Sequence, residues 1–261
     1  MNSSIETPVH SSGSDRVLVI MAKAPRPGAV KTRLASSLSS AAVTSLYCCL
    51  LEDTLALARS LDDVEVAIMC PGSDVDELAQ LAGGQQRVVA QKGEGLAAGL
   101  TSVFAQFAPD CQREDHQGDA HQRRVLAFNS DSPHLPRSVL EEAFKTLATH
   151  DAVVGPTHDG GYYLVGAKAS HPTLFASDGM GTSSALERLL SRARALELSV
   201  GFADLFYDVD VAEDLTRLAA ELRLTPARAP RTAAWLKEWA LAAGHSRTSA
   251  RADSKTRTGE L

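Results

Sequence analysis

Four short stretches of this chain gather residue types that can do chemistry. Positions 21–35 read "MAKAPRPGAVKTRLA", with two prolines, one glycine and the cations Lys23, Arg26, Lys31 and Arg33. Pro25 and Pro27 stiffen such a segment, and Gly28 permits a left-handed turn. Lys31 and Arg33 can then reach a phosphate group, the guanidinium in two-pronged fashion. A solvated basic loop would account for the same charges. The stretch is neither a P-loop nor a dinucleotide fingerprint, because the glycine spacing of both is absent. Positions 129–136, "NSDSPHLP", set Asp131 between Ser130 and Ser132. One carboxylate there suits a hard cation that prefers oxygen ligands and keeps several waters. A turn or helix cap uses the same residues. Positions 155–167, "GPTHDGGYYLVGA", carry Asp159, Gly160, Gly161 and Tyr162. Asp-Gly favours the tight turn joining two strands, and such a turn also leaves backbone N–H groups open to a ligand. Positions 207–215, "YDVDVAEDL", crowd Asp208, Asp210, Glu213 and Asp214. Asp210 and Glu213 fit a helix start, where acids offset the dipole. Asp208 is not needed for that, so a second metal-binding carboxylate is the sharper alternative.

These stretches need a scaffold that brings them together. Val-rich, mostly continuous apolar runs at 16–21, 64–70, 86–90, 124–129 and 151–155 predict strands covered on both faces. Val43, Leu46, Tyr47, Leu50 and Leu51 mark one face of a helix, as do Leu186, Leu189, Leu190 and Ala193. Capping-box spacings begin at Asp74, Ser138 and Ser184. The alternation predicts an α/β fold with a mostly parallel sheet between helical layers. In such sheets ligands bind beyond the carboxyl ends of the strands, which is where the basic loop and the Asp131 loop fall. Residues 16–244 are expected to form a single domain, with a polar surface insertion at 109–123. Residues 1–15 and 245–261 are expected to be a disordered leader and tail.

Composition narrows the partners. The net charge is −6, and the tail holds four Lys/Arg against two Asp/Glu, so the body is more acidic still. An acidic body argues against a nucleic-acid polymer, whose phosphates must be neutralised. A small phosphate ligand needs only a local cluster of cations. No apolar run reaches the roughly 18–20 residues of a membrane span, and the first fifteen residues lack the build of a secretory signal. Cys48, Cys49, Cys70 and Cys111 form no C-x-x-C pair and are expected to be buried free thiols in a reducing cytoplasm. His116 and His121 have no neighbouring ligands in sequence to make a zinc site.

The order of the four stretches carries a resemblance that no one of them does. "AKAPRPGAVKTRL", "NSDSP", "GPTHDGGYYLVG" and "DVDVAEDL" resemble the motifs of a bacterial family with the GT-A, or nucleotide-diphospho-sugar transferase, fold. Members are labelled glycosyltransferase or selenodomain-associated transferase. The chain is more distantly similar to phospholactate guanylyltransferases and molybdenum cofactor nucleotidyltransferases. The resemblance covers residues 16–223. It implies a three-layer αβα sandwich with a small β-hairpin near the site. It further implies a cytoplasmic, metal-dependent transferase using a nucleotide or nucleotide-sugar donor and a small-molecule acceptor. Asp131 and Asp210 would hold Mg²⁺ or Mn²⁺. Lys31 and Arg33 would stabilise charge on the leaving phosphate. Lys23, Gly28, Ser130, Ser132, Asp159, Gly160, Gly161 and Tyr162 would line the substrate pocket. Glycosyl transfer and nucleotidyl transfer both stay open, as does a non-catalytic nucleotide-binding protein on the same frame. The chain departs from the family pattern at Asn129, Val211 and Ala212, at Gly99 where the family has Arg, and at Met180 where it has Trp.

Overall fold

The computed structural model describes residues 14–108, 123–175 and 183–241. Most of the expected leader, nearly all of the 109–123 insertion with Cys111, His116 and His121, Met180 and the expected tail lie outside these residues. Seven strands form one sheet: β1 (Arg16–Met21), β2 (Glu65–Cys70), β3 (Arg87–Ala90), β4 (Arg124–Asn129), β5 (Ala152–Pro156), β6 (Tyr162–Ala167) and β7 (Val200–Phe202). Their order is β3-β2-β1-β4-β6-β5-β7. Every pairing is parallel except those of β6 with β4 and β5.

The strands read as continuous apolar runs because alternate side chains enter two cores. Leu18, Ile20, Ile68, Leu126, Phe128 and Val153 face one layer, made by α1 (Ser40–Arg59), α2 (Val75–Leu81) and α4 (Arg137–Thr149). Val17, Val19, Ala67, Met69, Val125 and Val154 face the other, made by α3 (Gly95–Phe107) and α5 (Ala185–Ala195). A third cluster packs Val43, Leu46 and Leu50 of α1 against Leu215, Leu218 and Leu222 of α6 (Ala212–Leu224). Leu236, on a last helix over 230–241 (α7), joins it. Each buried Leu, Ile or Phe stabilises the fold by about 1.5–3 kcal/mol relative to exposure.

Several expectations need correction. The expected hairpin is β5–β6, whose second strand is built into the central sheet and hydrogen-bonded on both sides. Gly166 makes this close approach possible, since a Cβ there would lie 2.3 Å from Leu126 Cδ2. The capping boxes do not form as spaced. Helix α4 starts after Pro136, one residue ahead of Ser138, and neither Asp74 nor Ser184 caps its helix through its side chain. Helix α1, at 20 residues, is long and apolar enough to cross a membrane by composition. Instead it serves two cores at once, with Tyr47, Leu51 and Leu55 in one and Leu46 and Leu50 in another. Cys48 and Cys49 are only partly buried; Cys70 is fully so.

Candidate active site

All three elements of the site hang from one edge of the sheet. The segment after β1 carries Lys31, the segment after β4 carries Asp131, and the approach to α6 carries Asp210. Parallel neighbours β1 and β4 end side by side at Met21 and Asn129, which is why two distant motifs meet. Beyond that edge opens a cleft of about 790 Å³, lined among others by Lys23, Lys31, Arg33, Ser130, Asp131 and Asp210. Met21, Met69, Pro71, Gly72, Gln91 and Leu96 line it as well.

The segment after β1 is pinned before it reaches the cleft. The buried Asp74 carboxylate accepts from the Ala24 backbone N–H at 2.9 Å and pairs with Arg26 Nη1 at 2.7 Å. Glu77 takes Arg26 Nε at 2.9 Å. Arg26 is therefore a strap holding the loop to the start of α2. The Tyr47 hydroxyl accepts from the Lys23 N–H at 3.1 Å and lies 3.2 Å from Ser130 Oγ, tying this loop to the next. After Gly28, at φ 77°, the chain turns into a short 3₁₀ turn at Thr32–Ser36. Lys31 itself holds a left-handed backbone, φ 47° and ψ 43°, uncommon for a side chain with a Cβ.

That conformation drives the Lys31 ammonium between the two carboxylates. Its Nζ lies 2.8 Å from Asp131 Oδ2 and 2.8 Å from Asp210 Oδ1, with the side chain only 4% exposed. Burial disfavours the ammonium, yet Asp131 and Asp210 outweigh it and raise its pKa above the ordinary lysine range. Arg33, largely exposed, reaches Asp210 Oδ2 at 3.5 Å. Asp210 is not the helix cap that its spacing suggested. Asp214 caps α6: its Oδ2 accepts from the N–H groups of Asp210 and Val211, both at 2.9 Å. The Asp210 side chain is thereby left to the cleft.

Asp208 points elsewhere. Its Oδ1 accepts from Asn129 Nδ2 at 2.6 Å and from Ser132 Oγ at 3.1 Å. Burial pushes its carboxyl up to about 7, and the nearby Asp131 charge adds to the shift. Asn129, only partly buried, thus ties the end of β4 to the approach to α6.

The remaining expected residues divide. Lys23 and Ser130 line the cleft, whereas Gly28 is exposed on the loop beside it. Ser132 is fully buried and lies within hydrogen-bond reach of both the Tyr207 carbonyl and Asp208. It holds the loop rather than facing a ligand. Asp159, Gly160, Gly161 and Tyr162 do not line the cleft. Asp159 Oδ1 accepts from Thr157 Oγ1 at 2.6 Å and from Gly161 N at 3.1 Å, so it builds the β5–β6 turn. These hydrogen bonds, the Thr157 one first, hold its carboxyl below its ordinary range, and the Arg33 charge contributes. The Gly160 carbonyl receives the Leu186 N–H, and a Cβ on Gly160 would lie 2.0 Å from the Ser183 oxygen.

Sequence reasoning missed Asp74 and Tyr47 as organisers of the site, and Gln91 as a brace of the cleft wall. Asp74 reads as a helix cap and Tyr47 as core, and nothing local marks their long-range hydrogen bonds. Gln91 Nε2 donates to the Gly93 carbonyl at 2.9 Å. At Gly99 a Cβ would lie 2.7 Å from Met21 Cε and 2.9 Å from Gln91 Oε1, so the Met21 and Gln91 side chains pack directly against this turn of α3.

Among the described residues no group of three or more His, Cys, Asp or Glu side chains converges to hold a metal. The Asp131–Asp210 pair is a smaller donor set. It fits Mg²⁺ or Mn²⁺, which is commonly held by one or two carboxylates and completed by phosphate and water. That a cation already sits between the two oxygens shows that they converge on a point suited to positive charge.

Solved structures share this frame. A protein from Desulfovibrio desulfuricans G20, provisionally described as a nucleotide-diphospho-sugar transferase, superposes with a TM-score of 0.74 at 27% identity, covering 86% of this chain and 95% of that one. The inositol-1-phosphate CTP transferase of T. maritima superposes with a TM-score of 0.52 at 14% identity, covering 80% of this chain and 95% of that one. The 4-diphosphocytidyl-2C-methyl-D-erythritol synthase of Anaerococcus prevotii DSM 20548 does so with a TM-score of 0.50 at 12% identity, covering 80% and 96%. The GT-A-like α/β fold implied by the motifs is thus the fold of this chain. No curated protein matches it in sequence. Residues 54–182, which carry Asp131 and the Asp159-Gly160-Gly161 turn, match the model of the family described as "Uncharacterized protein conserved in bacteria (DUF2064)".

Proposed function

We propose that this protein is a divalent-metal-dependent transferase acting on a nucleotide-activated donor. One observation carries the reading: Asp131 and Asp210, 79 positions apart, aim carboxylate oxygens at a single cationic point on the floor of an open cleft. The similarity to the D. desulfuricans protein supports it. Asp131 and Asp210 would hold Mg²⁺ or Mn²⁺, which neutralises phosphate charge when bound. The chain's own part is to supply cations around that charge. Arg33, exposed at the cleft rim, and Lys23 are placed to contact phosphate oxygens. Met21, Met69, Pro71 and Leu96, which also line the cleft, offer apolar surface for a flat base or a sugar.

Two reactions fit this donor. In glycosyl transfer an acceptor oxygen attacks the sugar carbon and a nucleoside diphosphate leaves. In nucleotidyl transfer an acceptor phosphate oxygen attacks the α-phosphorus of a nucleoside triphosphate and pyrophosphate leaves. The name of the D. desulfuricans protein favours the first, and the cations lining the cleft, Lys23, Lys31 and Arg33, favour the second. The deciding experiment incubates the protein and Mn²⁺ with nucleoside triphosphates and with nucleotide sugars, alongside a panel of sugar-phosphate and alcohol acceptors. Release of nucleoside diphosphate assigns glycosyl transfer, and release of pyrophosphate assigns nucleotidyl transfer. Nucleotide binding with neither release across the panel points instead to a non-catalytic binder.

A further inference from the structure

The Lys31 ammonium sits where a metal would have to sit. It is within 2.8 Å of one oxygen from each of Asp131 and Asp210, and its side chain is almost wholly buried. Its backbone is held left-handed to put it there. The rest of the loop gives it room to leave: Gly28 is exposed at φ 77°, with nothing within 4 Å of where a Cβ would be. By contrast Arg26 is committed to Asp74 and Glu77, which ties the near half of the loop to the start of α2.

We propose that Lys31 is an internal counter-cation that competes with the metal for Asp131 and Asp210. Metal and nucleotide therefore bind together rather than in succession. A metal ion arriving alone must displace a buried ammonium, which then lacks a partner, and this is costly. A metal arriving with a nucleotide brings phosphate oxygens, to which the displaced ammonium can pair. The two ligands are thus coupled through one side chain, each favouring the other by the same factor. The fixed Ala24–Arg26 strap keeps the displaced lysine within the cleft. This inference rests on the metal assignment proposed above.

The test is direct binding, read without turnover. Mn²⁺ affinity is measured by calorimetry on the full chain, with and without a nucleoside triphosphate or nucleotide sugar that binds. It is then repeated on Lys31→Met, and on Lys31→Gln should the Met variant fail to fold. Wild-type protein is expected to bind Mn²⁺ weakly alone and about tenfold or more tightly with nucleotide, within the range of coupled sites. The uncharged variants are expected to bind Mn²⁺ alone about tenfold more tightly than wild type and to show a correspondingly smaller gain on adding nucleotide, the direct metal–phosphate contact supplying what coupling is left. If the variants bind Mn²⁺ alone no more tightly than wild type, while wild type still binds it with nucleotide, the competition is overturned and the metal assignment stands. If neither wild type nor variants bind Mn²⁺ under any condition, both fall.

Discussion

The two acids at the start of α6 make a discriminating pair, because the structure gives them opposite jobs four positions apart: Asp214 caps the helix, and Asp210 faces the cleft. Asp214→Ala leaves the N–H groups of Asp210 and Val211 without that acceptor. Loss of a cap costs about 0.5–2 kcal/mol. For a domain of this size that lowers Tm by about 1–8 °C. Asp210→Asn leaves the cap in place. Its side chain is 40% exposed, and its ion pair with Lys31 is screened by solvent. Asp131 still holds the ammonium at 2.8 Å. The stability cost is therefore under about 1 kcal/mol. Ligand binding should separate the two in the other direction. A ligand at a hundred times its Kd adds about 2.7 kcal/mol, or about 5–10 °C in Tm. Thermal unfolding is followed for both variants and wild type with Mn²⁺ and each of the four nucleoside triphosphates and a set of nucleotide sugars. The expected outcome is a lower starting Tm with an intact ligand shift for Asp214→Ala, and a near-normal Tm with the shift largely gone for Asp210→Asn. An Asp210→Asn protein that keeps the full metal-dependent shift would refute the carboxylate-pair reasoning and return Asp210 to a surface acid.

Three further outcomes follow from the packing. Gly160→Ala should destabilise by at least about 2 kcal/mol in chemical denaturation, since φ is +85° and the new Cβ would meet the Ser183 oxygen at 2.0 Å; an unchanged midpoint would show that the β5–β6 turn is not held against the start of α5. Gly99→Arg should cost about 1–3 kcal/mol by overpacking Met21 and Gln91, and a variant of undiminished stability would mean that these two side chains have room to move aside. His134 is buried with neither ring nitrogen hydrogen-bonded, and burial first, then Arg217 and Arg228, push its pKa down to about 3. The unfolded chain binds a proton there near 6.5 and the folded one does not. Its contribution is therefore full above about pH 6.5 and is lost as pH falls toward 3, by up to about 1.4 kcal/mol per pH unit. His134→Phe should flatten that acid limb in urea titrations at stepped pH, and an unaltered slope would assign it to other groups.

Much of this molecule was legible in its residues, and the reason is local physics. Strands β1 and β4 begin and end where their apolar runs do, because a strand buried on both faces must be apolar throughout. The Val43–Leu51 face of α1 was legible because its spacing repeats with the turn of a helix. Asp131 and Lys31 could be picked out because each follows a strand at the edge where parallel sheets bind ligands. What spacing could not decide was which way a side chain turns once distant segments meet. The spacing Asp210-x-x-Glu213 reads as a cap, but Asp214 takes that role and frees Asp210 for Lys31. Asp208 and Asp210 are equivalent candidates on paper; the partners Asn129 and Ser132, 79 and 76 positions away, draw Asp208 inward. The Asp159 turn carries the chemistry of a pocket, and only the fold shows that its carboxylate is spent on Thr157 and on the Gly161 N–H within the turn itself. Local periodicity specifies elements because each residue feels only its own burial and backbone. The site is an agreement among Lys31, Asp131 and Asp210, and only the packed sheet brings those three charges within 2.8 Å of one another's partners.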